Sequence, residues 1–284
     1  MANYIRFDWA MKRLLRNKAN YAVLEGLLTT LLKEKVTILL PIDSTSYADD
    51  DIPKHFRMNF LIANEKDEWA LVEIQNNNEY AYYQRILFGL SCQLTDFINC
   101  YPQGYNRIRK VYSVNIVYFP LAWGKDYLYH GKTDLQGVHT GDWLKIAPFQ
   151  KQTFQVDKTS LLYPEYYVLA VHGFDQIPTN PLEEWIYYLN TGEMPDKITA
   201  SGLDTVKQQL LLEQLGKEDM KAYECHLNNL AILRNNLRAE YEEGRAEGIQ
   251  ETASNLKKMG MDVDFIVQAT SLSQDEIEKL KIEN

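Results

Sequence analysis

The chain has 284 residues, enough to bury a proper core in one large domain or two modest ones. Its composition, 45% hydrophobic and 24% charged, is that of an ordinary soluble globular protein. A net charge of −9 argues against broad nonspecific coating of nucleic acid, while leaving room for a local basic groove.

From the N-terminus, Met1 to Leu15 carries Arg6, Asp8, Lys12 and Arg13 and has no apolar run long enough for a signal peptide. No later stretch reaches the ~18 apolar residues of a membrane span, so a cytoplasmic, reduced protein is expected. The leucines of Tyr21 to Lys35 recur at helical spacing after a capping Asn20, which predicts a helix. Lys54 to Ala63 and Trp69 to Gln75 read as strands around the polar turn Asn64 to Glu68. Glu79 to Ile98 follows the helical period through Tyr83, Leu87, Leu90, Leu94 and Phe97. Val111 to Phe119 is a near-continuous β-branched and aromatic run, the pattern of a strand buried on both faces. Further strands are expected at Tyr127 to His130 and Tyr166 to Val171, and a helix opens at Pro181. This order predicts an α/β (α+β) fold with a mixed central sheet flanked by helices.

Composition shifts after Gly202. Lys207 to Gln250 is charged and helical by propensity, and Glu243 to Gly248 (Glu-Gly-Arg-Ala-Glu-Gly) reads as a flexible joint. Beyond it, Ala253 to Met259, Val263 to Ala269 and Ser273 to Leu280 form a small helical tail, with Ser273 and Glu276 spaced as a capping box. The expected domains are 1–202, a charged helical extension 203–250 and the tail 251–284. The tail is open to two readings, a small helix-turn-helix DNA reader, or an interaction tail or helical hairpin, with homo-oligomerisation as one role for it. Its excess of acids favours the second.

Chemistry points to the hairpin. Three scattered cysteines and five scattered histidines give neither a disulfide framework nor a zinc pattern. A symmetric hairpin pairs Ala63 with Trp69, Leu61 with Leu71, Asn59 with Glu73 and Arg57 with Gln75. Alternation then puts Asn59, Glu73 and Gln75 on one face and Met58, Phe60, Val72 and Ile74 on the other. A carboxylate on adjacent strands is what a hard, oxygen-seeking Mg²⁺ needs beside a scissile phosphate. Glu25 lies between Tyr21, Leu28 and Leu32 on an otherwise apolar helix face, either as a boundary glutamate with its head in water or as a further metal-binding carboxylate.

Several motifs carry a resemblance: Phe7-Asp8 with Lys12, Leu24-Glu25-Gly26, Val72-Glu73-Ile74-Gln75, Tyr82 with Arg85 and Phe88-Gly89, Arg109 to Ile116, Gly124 to Gly131, and Pro181 to Tyr187. In order and spacing over most of residues 3–250 they resemble the PD-(D/E)XK nuclease family transposases, the Rpn-like recombination-promoting nucleases. The resemblance implies a restriction-endonuclease-like core, DNA as partner, and Mg²⁺ or Mn²⁺ as cofactor. It implies Glu73, Gln75 and position 59 as catalytic residues, with Glu25, Glu73 and position 59 as metal ligands. Arg85 and Lys12 fall where phosphate or DNA would be met. Position 59 departs from the family pattern, with Asn59 standing where the family has its chief metal-bridging aspartate. An impaired endonuclease is therefore expected, or a noncatalytic nuclease fold that binds DNA or a partner.

Overall fold

A computed structural model describes residues 4–14, 17–42, 55–63, 69–75, 81–100, 110–119, 124–154, 156, 158–172, 174 and 176–280. The acidic run Asp49 to Asp51, the turn Asn64 to Glu68, and the basic residues Arg16, Arg107 and Arg109 lie outside the described residues. The chain divides into two compact units, Met1–Leu215 and Gly216–Asn284.

The first unit is built on a six-stranded mixed sheet of order β1-β2-β3-β4-β6-β5. Its strands are β1 (Thr37–Ile42), β2 (His55–Ala63), β3 (Trp69–Gln75), β4 (Val111–Val117), β5 (Leu128–Gly131) and β6 (Glu165–Ala170). β2 pairs antiparallel with both β1 and β3; β3, β4 and β6 are mutually parallel, and β5 closes the far edge antiparallel to β6. β4 is buried along its whole length, as its continuous apolar run requires of a central parallel strand.

Helices pack around the sheet. α3 (Tyr82–Cys100) lies over one face, with Tyr82 and Ile86 against Val117 and Phe119, and Leu90 against Val111. α2 (Tyr21–Leu32) packs against β1, α5 (Pro181–Thr191) and α6 (Leu203–Gln209). The α2–α6 contact depends on two glycines. A Cβ on Gly26 would sit 2.4 Å from the Gly202 Cα, and Gly202 itself holds φ +83. α1 (Phe7–Arg13) docks through Phe7, edge-on to Trp185 at 6.2 Å, and the Tyr188 hydroxyl donates to the Ile5 carbonyl at 2.6 Å. A short helix, α4 (Pro148–Phe154), precedes β6.

α6 falls within the first unit, with Leu203 and Val206 fully buried. The second unit is a 42-residue helix, α7 (Lys217–Lys258), followed by α8 (Val263–Thr270) and α9 (Gln274–Lys279). Ala253, Ile266 and Ile277 form its small core. Asp262 caps α8 by accepting from the Phe265 amide at 2.8 Å, and Ser273 and Glu276 form the expected capping box on α9. The expected joint at Glu243 to Gly248 is absent, since α7 runs unbroken through it. Each glycine weakens a helix by only ~1 kcal/mol, and the surrounding Glu, Arg and Ala are strong helix formers.

The hairpin register also differs from the symmetric expectation. Asn59 pairs with Leu71 and Glu73 with Arg57. Ile62 and Ala63 pair only with β1, and the β2–β3 ladder stops at Leu61 and Trp69. The connection is therefore two residues longer on the β2 side than a symmetric turn would make it. A two-residue shift preserves the faces, because side chains alternate with period two. Asn59, Glu73 and Gln75 still share one face.

Candidate metal and phosphate site

Glu73 and Gln75 stand in the C-terminal half of β3, the end of a parallel strand at which open α/β sheets bind their ligands. Beside Glu73 are Arg57 on β2 and Asn115 on β4, and beside Gln75 are His55 and Val117. Asn59 lies diagonally from Glu73 on the same face, at a Cα offset of roughly 7–8 Å for such neighbours. The side chains of Asn59, Glu73, Gln75 and Lys12 lie outside the described residues, so these four are placed by backbone register and helix position alone.

α3 covers this same face. Arg85 is half-buried on its first turns, between Tyr82 and Ile86, which pack onto the Val117 end of β4. Val117 is the register partner of Gln75, so the helix carrying Arg85 lies over the strand beside that residue. The structure thus brings the elements bearing Asn59, Glu73, Gln75 and Arg85 together.

Glu25 goes elsewhere. Its Oε1 accepts the Ile38 amide at 2.7 Å, next to the irregularity in the β1 ladder between Ile38 and Leu40. Ile38 pairs with Ile62 and Glu73 with Arg57, five positions apart along β2, roughly 17 Å at strand rise. The carboxylate that the sequence leaves open between water and metal therefore holds an edge-strand amide. Asp8 is fully buried on α1 and pairs with Arg6, Oδ1 to Nε 3.2 Å. Lys110, within the motif Arg109 to Ile116, turns inward and forms a salt bridge with Glu165.

Asn115 was missed by sequence reasoning. It is 1% exposed on β4. Its Nδ2 donates to the Ser113 carbonyl (3.2 Å), the Ser113 Oγ (3.1 Å) and the Tyr167 carbonyl (3.3 Å), while its Oδ1 has no hydrogen-bond partner. An amide in the middle of a strand buried on both faces was the available signal. Its neighbour on β3 depends on the parallel register, which sequence alone does not supply.

The donors on this face (Glu73, Asn59, Gln75, Asn115) are oxygen-bearing and suit a hard divalent cation, with the single carboxylate Glu73 among them. No group of three or more His, Cys, Asp or Glu that could hold a metal ion occurs among the described residues. No helix among them is long and apolar enough to cross a membrane.

Comparison with curated proteins gives no match, and neither does comparison with solved structures. Comparison with protein families matches residues 5–240 to the PD-(D/E)XK nuclease family transposases. That span takes in every strand of the sheet and the face bearing Glu73, and the chain belongs to this family.

Proposed function

We propose that the chain is a metal-dependent DNA endonuclease of the PD-(D/E)XK type, weakened by Asn59. The observation that carries this reading is that Glu73 and Gln75 share one sheet face at the C-terminal end of β3, with Asn59 diagonal to Glu73 on β2 and the helix that bears Arg85 over that face. Glu73 is the anionic ligand of the site, with Asn59 as a neutral one. Gln75 orients the attacking water or the phosphate, and Arg85 and Lys12 meet phosphate oxygens. A bound Mg²⁺ or Mn²⁺ supplies charge neutralisation at the phosphodiester and acidifies a water.

Asn59 keeps a carbonyl oxygen and removes a full negative charge. The lost attraction to a divalent ion is on the order of several kcal/mol, even at a partly screened dielectric. This favours a second reading, a nuclease fold retained for DNA or partner binding without cleavage. Asn59→Asp separates the two. With Mn²⁺, the restored chain should nick supercoiled plasmid at least tenfold faster than the native one and bind the ion at least tenfold more tightly. If neither chain nicks, the catalytic reading falls and the binding reading takes its place.

A further inference from the structure

We propose that Asn115 belongs to this site as a positioning residue, its buried Oδ1 accepting a hydrogen bond from a water of a hydrated divalent cation held at Glu73. The inference rests on the metal-site reading above and adds a residue to it.

The orientation of the carboxamide is fixed by its partners. Two of the three acceptors around Nδ2 are backbone carbonyls, of Ser113 and Tyr167, and a carbonyl can only accept. The NH₂ group must therefore be at that end, and the oxygen at the other. Those acceptors lie on β4 itself and on β6. The strand on the opposite flank of β4 is β3, where the register partner of Asn115 is Glu73. Parallel register partners share a sheet face and stand one strand spacing apart, about 4.8 Å.

A buried amide oxygen without a partner is unfavourable in a strand that otherwise buries Val, Tyr and Ile side chains and the hydrogen-bonded Ser113, and such groups in folded proteins call for an explanation. A leucine would fill the position without leaving an orphan. A cation water explains the amide. Mg²⁺ and Mn²⁺ hold several waters when only one or two carboxylates bind them, and each such water has protons to donate. A neutral acceptor beside the single carboxylate takes one of those protons.

The test is calorimetric titration with Mn²⁺, together with the Mn²⁺-induced shift in melting temperature, on the Asn59→Asp chain and on the same chain carrying Asn115→Leu or Asn115→Asp. Asn115→Leu should lower Mn²⁺ affinity at least tenfold and abolish the melting shift, with a metal-free melting temperature no lower than its parent's. Asn115→Asp, protonated on the oxygen that faces the Ser113 and Tyr167 carbonyls, keeps both the donor and the acceptor and should retain both the affinity and the shift. Unchanged Mn²⁺ affinity in Asn115→Leu overturns the role of Asn115 and leaves the metal site standing. Absence of Mn²⁺ binding in both the native and Asn59→Asp chains overturns the metal site and this inference with it. Should the leucine variant fail to fold, Asn115→Ser is judged by the same affinity criterion, since its shorter hydroxyl stops short of the oxygen's position.

Discussion

Glu165 on β6 is 9% exposed and fully engaged, whereas Asn115 on the neighbouring strand is 1% exposed and half engaged. Glu165 pairs with Lys110, meets the His130 Nε2 at 3.0 Å and accepts from the Tyr167 hydroxyl at 3.1 Å. His130 stacks flat on the Tyr167 ring at 4.4 Å, which fixes the cluster's geometry. Burial pushes the Glu165 carboxyl up, but hydrogen bonds from Lys110, His130 and Tyr167 outweigh it and hold the group below its ordinary value of 4.5. The sign follows. Between the folded value and 4.5 the unfolded chain binds more protons, so stability from Glu165 is present above that range and is lost as pH falls through it. Removing the carboxylate also strands Lys110, which is 5% exposed. Glu165→Gln should therefore lower stability at pH 7 by about 3 kcal/mol in urea denaturation, the scale of a broken buried pair. The gap between variant and native chain should narrow from pH 5 to pH 3. A gap that stays constant over that range would show that the charge on Glu165 is not its source. Nothing in the sequence joined these four residues, because Lys110, His130 and Glu165 meet only through the β4–β6–β5 pairing.

At the scale of elements, periodicity revealed what was strongly patterned. α3, β3, β4 and α5 stand within a few residues of their expected bounds, because each carries a regular apolar stripe or a near-continuous apolar run in its sequence. β1 was not legible. It is a short edge strand with Pro41 near its end and a ladder irregularity after Ile38, both typical of edges and both disruptive of alternation. The hairpin register was missed because the two residues that pair only with β1 cannot be told from turn residues until β1 is known. The glycines divide in the same way. Gly26 looks like a weak point in α2, yet its missing Cβ is what lets the α6 backbone approach. Gly244 and Gly248 look like a joint, and nothing lies within 4 Å of where their Cβ atoms would be. Gly26→Ala should thus destabilise the chain by about 2 kcal/mol or more through overpacking against backbone. Gly244→Ala and Gly248→Ala should each stabilise α7 by roughly 0.5–1 kcal/mol. Thermal melts followed at 222 nm check both signs. Destabilisation by either α7 substitution would mean that these glycines serve a contact rather than a helix.

On the scale of the whole molecule, the family match and the compact units divide the chain differently. The match ends at residue 240, inside α7, whereas the first unit ends at Leu215. Every element at the candidate site (β2, β3, β4 and α3) belongs to the first unit. So do α2, which packs against β1 and has Leu24, Leu27 and Leu28 fully buried, and α5, which packs against α2 and has Trp185 and Tyr188 fully buried. The second unit has its own core in Ala253, Ile266 and Ile277 and its own caps. A chain ending at Leu215 therefore retains every residue proposed to hold the cation and the packing that orders its strands. It should keep its sheet signal by circular dichroism, and in the Asn59→Asp background it should bind Mn²⁺ within about twofold of the full chain. Affinity follows from ligand charge and preorganisation at the site, and neither changes on truncation. A tenfold loss of Mn²⁺ affinity in a truncated chain that remains folded would assign part of the site to the first turns of α7, the segment from Lys217 to residue 240 that the family match includes.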